Sequence, residues 1–473
     1  MVRVWLAAAV VFLADEPKQA QPPTGLWMGT LNILGLQKLR LVLDVSEPTP
    51  GKVVATVDSI DQGASGIPVN DFTAADGKLK FEMKALKASY VGALKPDGKY
   101  HGTFEQAGMK MTLVLERIKE RPTPPSREQD PKKPYPYREE EVKVVNEHAN
   151  RPITLAGTLT LPTGEGPHPA VVLITGSGAQ NRNEEIMNHR PFLVLADHLT
   201  RKGIAVLRMD DRGVGGSSKG SRDDTSEDFA GDIRAAVEFL GKDKRIDAKR
   251  IGLIGHSEGG IIAPMVAAKA PDKVAFIVML AGTTLTGEEI LYLQGAKILR
   301  AGGASEGDAN ANQNSQRRLF KILREEADAS KRKQRLMDEM AAGVKKLPGS
   351  LRKSVDSEDA RKMQAAVLDN GWMRFFLQYD PLPTLRDVHC PVLALWGEKD
   401  LQVPPVENIA ALKKGIPDWE SRKITVTVFP ALNHLFQTSV TGSPAEYQQL
   451  PETFSPIALE AVSDWIRKQT GVN

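Results

Sequence analysis

The stretch RIGLIGHSEGGIIAP, residues 250–264, runs from an apolar segment into a glycine-flanked turn and out into a second apolar segment. Isoleucine and leucine ahead of the turn suit a buried strand, and the small residues of GIIAPMVAAKA suit a close-packed helix. A Gly-x-Ser-x-Gly turn between strand and helix holds its serine in a strained conformation, with the hydroxyl raised clear of the sheet. Gly255 and Gly259 let strand and helix approach closely. The helix N-terminus adds positive potential where negative charge would develop. Ser257 is therefore read as a nucleophile, not as a packing serine.

Such a serine needs a base, and in this setting the chain order is serine, acid, histidine. Of the eight histidines only His389 and His434 follow Ser257. His389, in LRDVHCPVLALW, precedes a core strand and so sits at the wrong end of a sheet. His434, in VFPALNHLFQ, follows the last strand at its carboxyl end, where ligands bind in open α/β sheets. His434 is the expected base. The acid comes from LALWGEKDLQVP, which offers Glu398 and Asp400; Asp400, just ahead of the next helix, is preferred. Two backbone N–H groups must face the oxyanion. Glu258, the residue after the nucleophile, supplies one. Ser177, in the Gly176-Ser177-Gly178 turn after the strand AVVLITG, supplies the other, with Gly178 as its neighbour and alternate. RMDDRGVGGSSKG lacks the lysine and Ser/Thr ending of a phosphate loop. Asp210, Asp211 and Arg212 are read there as a structural turn whose Asp–Arg pairs brace the site. His256 is assigned to packing of the elbow. No metal or organic cofactor is called for.

The surrounding chain of 473 residues divides by composition. From 22 to 118, short alternating segments such as LRLVLDVS and KLKFEMKA predict a small all-β domain, barrel or sandwich, with a hairpin turn at Pro96-Asp97-Gly98. Residues 119–141 are rich in proline and charge and read as a linker. From 142 to 473, continuous apolar runs alternate with helical periods, the pattern of a doubly wound, mostly parallel α/β sheet. About 284–386 carries no strand pattern and reads as helices, expected to form a cap over the sheet edge.

A net charge of +3 without a dense basic block gives no sign of a nucleic-acid partner. Cys390, the sole cysteine, excludes an internal disulfide and is read as packing. Residues 1–21 look signal-like: Arg3 precedes an apolar run from Val4 to Leu13, too short to span a bilayer. Ala14 suits the last position before cleavage, although Phe12 is bulky for its place. Export to the periplasm or medium is expected, with a cytoplasmic location the alternative. No other stretch has the length of a membrane helix.

Together DDRGVGGSS, GHSEGG, GEKDLQVP and NHLF resemble the α/β-hydrolase superfamily, and all stand in its order. More narrowly, GSGAQNRNE and the N-terminal GLWMGTL and DSIDQGASGIPV resemble bacterial serine esterases with an N-terminal β domain. Asn183 departs from that group, which often has Asp there. The resemblance implies a carboxylesterase for small, short-chain acyl esters, without cofactor. A serine peptidase of the prolyl-oligopeptidase or dipeptidyl-peptidase type is the nearer alternative, although no propeller repeat is visible. A ligand-binding protein with an incidental hydrolase body is the other.

Overall fold

The computed structural model describes residues 23–33, 37–106, 108–123, 126–345 and 357–472. The apolar run from Val4 to Leu13 lies outside them. The chain divides into two compact units, the first ending at Pro122 and the bulk of the second starting at Thr123.

The first unit is built from nine strands: β1 (Gly25–Ile33), β2 (Gln37–Thr49), β3 (Lys52–Ser59), β4 (Ala64–Pro68), β5 (Asn70–Ala75), β6 (Lys78–Met83), β7 (Ala88–Leu94), β8 (Tyr100–Gln106) and β9 (Met109–Ile118). They form one sheet in the order β4-β3-β2-β1-β9-β8-β7-β6-β5. The two end strands are separated in sequence only by Val69, so the sheet curls almost back onto itself, as in a barrel. Alternation sets its core: Leu79, Phe81 and Met83 are buried at every second position of β6. Tyr90 stacks on Phe81 with ring centroids 5.2 Å apart. Its ring lies over Gly92 and Gly102, which face each other across β7 and β8; a Cβ at either would come within 2.6 Å of Tyr90. The β7–β8 hairpin turns at Pro96-Asp97-Gly98, where Gly98 takes φ +76°.

The second unit carries an eight-stranded sheet: β10 (Arg138–Asn146), β11 (Ile153–Leu161), β12 (His168–Ile174), β13 (Ala205–Met209), β14 (Ile246–His256), β15 (Phe276–Leu280), β16 (Val392–Gly397) and β17 (Ile424–Phe429). Its order is β10-β11-β13-β12-β14-β15-β16-β17, antiparallel across β10, β11 and β13 and parallel from β13 to β17. The chain visits β13 on one side of β12 and then β14 on the other. That reversal opens a crevice at the strands' carboxyl ends. The central strands are buried along their length, as the continuous apolar runs require.

Helices cover the sheet: α1 (Pro191–Arg201), α2 (Ser226–Gly241) and α3 (Gly259–Lys269) precede β15, and α10 (Pro405–Gly415) and α11 (Pro456–Thr470) follow β16. Between β15 and β16 stand α4 (Gly287–Ala301), α5 (Glu306–Glu325), α6 (Ala329–Val344), α7 (Glu358–Leu368), α8 (Gly371–Gln378) and α9 (Pro381–Arg386). Each of these six starts at a polar side chain that accepts from its first turn: Thr286, Ser305, Asp328, Ser357, Asn370 and Asp380. Tyr292, Phe320, Leu323, Leu336 and Leu377 form a small core of their own.

The stretch read as a linker, 119–141, differs from that expectation from Arg127 onward. Arg127 is buried and donates to the carbonyls of Met187, Gln448 and Leu450, and Gln129 bonds to Thr453 and Phe454. From Arg138 the chain is already strand β10. The glutamates that made it look like linker are paired: Glu140 with Arg245 and Glu141 with Arg182. A charged edge strand and a charged tether have similar compositions.

Candidate active site

β14 ends at His256, and Ser257 follows with φ +52°, left-handed backbone that strains any residue with a Cβ by about 1 kcal/mol or more. The turn is held from both sides: Ser257 N–H bonds to Leu280 O at 2.8 Å, and Gly260 N–H to Ser257 O at 2.9 Å. The glycines around it are demanded by contact. A Cβ at Gly255 would stand 1.9 Å from Gly259 O, and one at Gly259 would stand 2.2 Å from Ile174 O. The Ser257 hydroxyl has no hydrogen-bond partner among the described residues.

His434 and Asp400 are brought together. His434 Nδ1 lies 2.8 Å from Asp400 Oδ2, and the two residues are 4% and 2% exposed. Asp400 Oδ1 accepts from the N–H groups of Gln402 and Val403, both at 2.8 Å, so the loop after β16 fixes the carboxylate. With the carboxylate on Nδ1, a neutral imidazole keeps its proton there and leaves Nε2 as an acceptor. No hydrogen bond joins Nε2 to Ser257 Oγ among the described residues. Glu398 is exposed and accepts from Ala431 N–H at 3.0 Å, bracing the approach to His434. His389 is exposed ahead of β16.

Ser177 and Glu258 both keep free backbone N–H groups among the described residues. Gly178 takes φ +97°, and Gly176 N–H is spent on Glu184 Oε1 at 2.7 Å. The same Glu184 oxygen lies 2.8 Å from His256 Nδ1, while His256 Nε2 lies 3.0 Å from the carbonyl of His434. A carbonyl can only accept, so His256 Nε2 carries a proton, and the Glu184 carboxylate favours a second on Nδ1. Burial works against that charge, but the attraction of Glu184 and its hydrogen bond outweigh it and hold the imidazole above its ordinary value. Glu184 thus ties the 176–178 turn to the end of β14, and His256 ties that strand end to the loop of His434. The sequence by itself assigns His256 to packing alone and marks Glu184 only as the closing glutamate of GSGAQNRNE. Asn183, the departure in that motif, accepts from the buried Arg208 guanidinium.

Beside this turn opens a cavity of about 960 Å³, lined by the 176–179 turn, Asp211, Phe229, Glu258, Ile262 and Trp372 among others. Neither Ser257 nor His434 lines it. Trp372, on α8, donates to Glu258 Oε1 at 2.7 Å, so the inserted helices reach the residue after the serine. Among the described residues, no group of three or more His, Cys, Asp or Glu side chains is arranged to hold a metal ion.

A family model described as the alpha/beta hydrolase fold matches residues 169–438, more than half of the chain. The chain belongs to the alpha/beta hydrolase fold family. Within it, the chain is similar to esterase EstD of Thermotoga maritima, at 28% identity over 66% of this chain and 66% of the relative. It is also similar to serine hydrolase BPHL of Homo sapiens, at 30% identity over 28% of this chain and 43% of that one. The chain therefore spans under two thirds of the length of these curated relatives. Among solved structures, the Pyrococcus furiosus esterase Pf2001 aligns with a TM-score of 0.42 at 15% identity, covering 75% of this chain and 96% of that chain.

In this alpha/beta hydrolase the Asp-Asp-Arg turn after β13 divides in use. Asp210 pairs with Arg182, and Arg212 pairs with Asp224 and Asp232, as the Asp–Arg expectation has it. Among the described residues no cation pairs with Asp211. It accepts from Thr175 Oγ1 and Gln180 N–H, both at 2.9 Å, and burial pushes its carboxyl up to about 7. Between its ordinary value of 3.8 and that figure, the unfolded chain sheds this proton before the folded one. Rising pH there favours unfolding. In Asp211→Asn the amide still serves both Thr175 and Gln180 but no longer ionises. The melting temperature of the variant relative to the parent should climb from about pH 4 to about pH 7. A difference that stays flat over that window would remove the buried acid from the account.

Proposed function

We propose that the chain is a carboxylic ester hydrolase working through an acyl-enzyme on Ser257. The observation that carries this is the buried Asp400–His434 pair, at the same carboxyl end of the sheet as a serine strained to φ +52°. Substrate binding draws Ser257 Oγ onto His434 Nε2, a contact that commonly tightens only in the complex. His434 takes the serine proton as Oγ attacks the ester carbonyl. The oxyanion settles on the free N–H groups of Ser177 and Glu258. Asp400 steadies the imidazolium, which then protonates the leaving alcohol and later activates water for deacylation. The helices between β15 and β16 reach Glu258 through Trp372 and act as a cap over the site, and short acyl esters are the expected substrates. The esterase name of the Thermotoga maritima relative supports the same reading.

A fluorophosphonate probe, followed by peptide mass spectrometry, should place its adduct on Ser257. A panel of p-nitrophenyl esters run beside aminoacyl arylamides should show turnover of the short esters. Faster arylamide cleavage would make the chain a peptidase. An unlabelled protein would leave a binding role.

A further inference from the structure

Glu258, the residue after the nucleophile, is only 6% exposed. Its Oε1 accepts from Ser226 Oγ at 2.6 Å and Trp372 Nε1 at 2.7 Å, both neutral donors. Its Oε2 has no hydrogen-bond partner among the described residues. No cation among the described residues pairs with the group, and burial pushes its carboxyl up from the ordinary range. Yet it lines the 960 Å³ cavity.

Apart from the exposed Lys219, the other charges around that cavity are occupied. Arg182 holds Asp210, Arg212 holds Asp224 and Asp232, and Asp211 has both oxygens engaged by Thr175 and Gln180. Arg222 donates to the carbonyls of Ala366 and Asp369, and Lys219 is an exposed side chain. What remains inside is acceptor capacity on Glu258, against walls that include Phe229, Ile262 and Trp372. A carboxylate so placed is completed by a ligand that brings a positive charge or N–H donors.

Which half of an ester enters follows from the proton path, and here the inference rests on the proposed roles of Ser257 and His434. The leaving alcohol must lie against His434 Nε2, and His434 does not line this cavity. Ser257 does not line it either, but Ser177 and Glu258, the residues proposed to hold the oxyanion, do, so the acyl half is the one that enters. The geometry points to Glu258 as a specificity-determining residue that binds a protonated primary amine on the acyl group, so that the substrates are aminoacyl esters. The amine sits close to the ester carbonyl, because Glu258 offers both the N–H for the oxyanion and the carboxylate for the amine.

The test compares the benzyl esters of 2-aminobutyrate and butyrate, with kcat/KM for each divided by its rate of hydroxide hydrolysis. The intact protein should favour the amino ester by about tenfold or more, the scale on which a site built around a polar contact rejects the analogue lacking it. In Glu258→Gln the ratio should fall towards one, because the amide keeps an acceptor for Ser226 and Trp372 but loses the charge. Butylamine should inhibit butyrate ester turnover competitively, and neutral N-butylacetamide should not; this arm needs no variant. A corrected ratio near one in the intact protein, a ratio unchanged in Glu258→Gln, or equal inhibition by the two compounds would overturn the assignment. Ser257→Ala separates the two levels: loss of both activities keeps the nucleophile whatever the ratio does, whereas survival of both removes the reading on which this one rests.

Discussion

Ser257→Ala should reduce ester turnover by about 10⁶-fold, the loss seen when a serine nucleophile is removed from a working triad. The fold should survive, because the Ser257 hydroxyl makes no hydrogen bond among the described residues and its loss orphans nothing. Backbone strain supplies a second readout. At φ +52° a glycine is at ease where serine and alanine are not. Ser257→Gly should therefore be as inactive as the alanine variant yet more stable than it by about 1 kcal/mol in denaturant titrations. Substantial turnover by either variant would show that chemistry happens elsewhere. A glycine variant less stable than the alanine one would mean that the turn is not strained.

Glu184→Ala should be the most damaging change to stability near the site, at about 3–5 kcal/mol, the range for stripping one partner from a buried ion pair. Glu184 and His256 are 3% and 6% exposed, and the substitution also strands Gly176 N–H. Glu184→Gln should fall in between, since one amide oxygen cannot serve Gly176 and a neutral Nδ1 alike. The effect carries a pH signature. The groups facing His256 are Glu184, His434 and Asp400, and in sum they raise its folded value above 6.5. A raised histidine adds stability in full below its unfolded value and loses it as pH rises through the folded one. The gap between parent and Glu184→Ala should thus be widest below about pH 6.5 and narrow in more alkaline buffer. A gap independent of pH would mean that the pair is not ionic.

Much of this was legible because the chemistry is local. The turn 255–259 announces itself by steric demand, and the strands feeding Asp400 and His434 are continuous apolar runs that suit little else. What escaped is non-local. Glu184 and His256 are 72 positions apart, and Glu258 and Trp372 are 114 apart, with no periodicity to link them. Asp211 looks like its neighbours in DDR, and only the fold gives Arg182 to Asp210, gives Asp224 and Asp232 to Arg212, and leaves Asp211 without a charged partner among the described residues. Edge strand β10 was hidden by its own glutamates, whose arginine partners lie 41 and 105 residues downstream.

The docking of Arg127 and Gln129 bears on where the catalytic unit begins. Those two side chains hold the carbonyls of Gln448, Leu450 and Phe454 in the segment that leads away from His434 to α11. The polypeptide upstream of β10 is therefore a strap on the segment that follows His434. Any recombination of this hydrolase body with another N-terminal module has to carry the strap with it. A junction placed at Val142, where the apolar pattern starts, would sever β10 and leave that segment unfastened; one placed at Thr123, where the bulk of the second unit starts, would keep it.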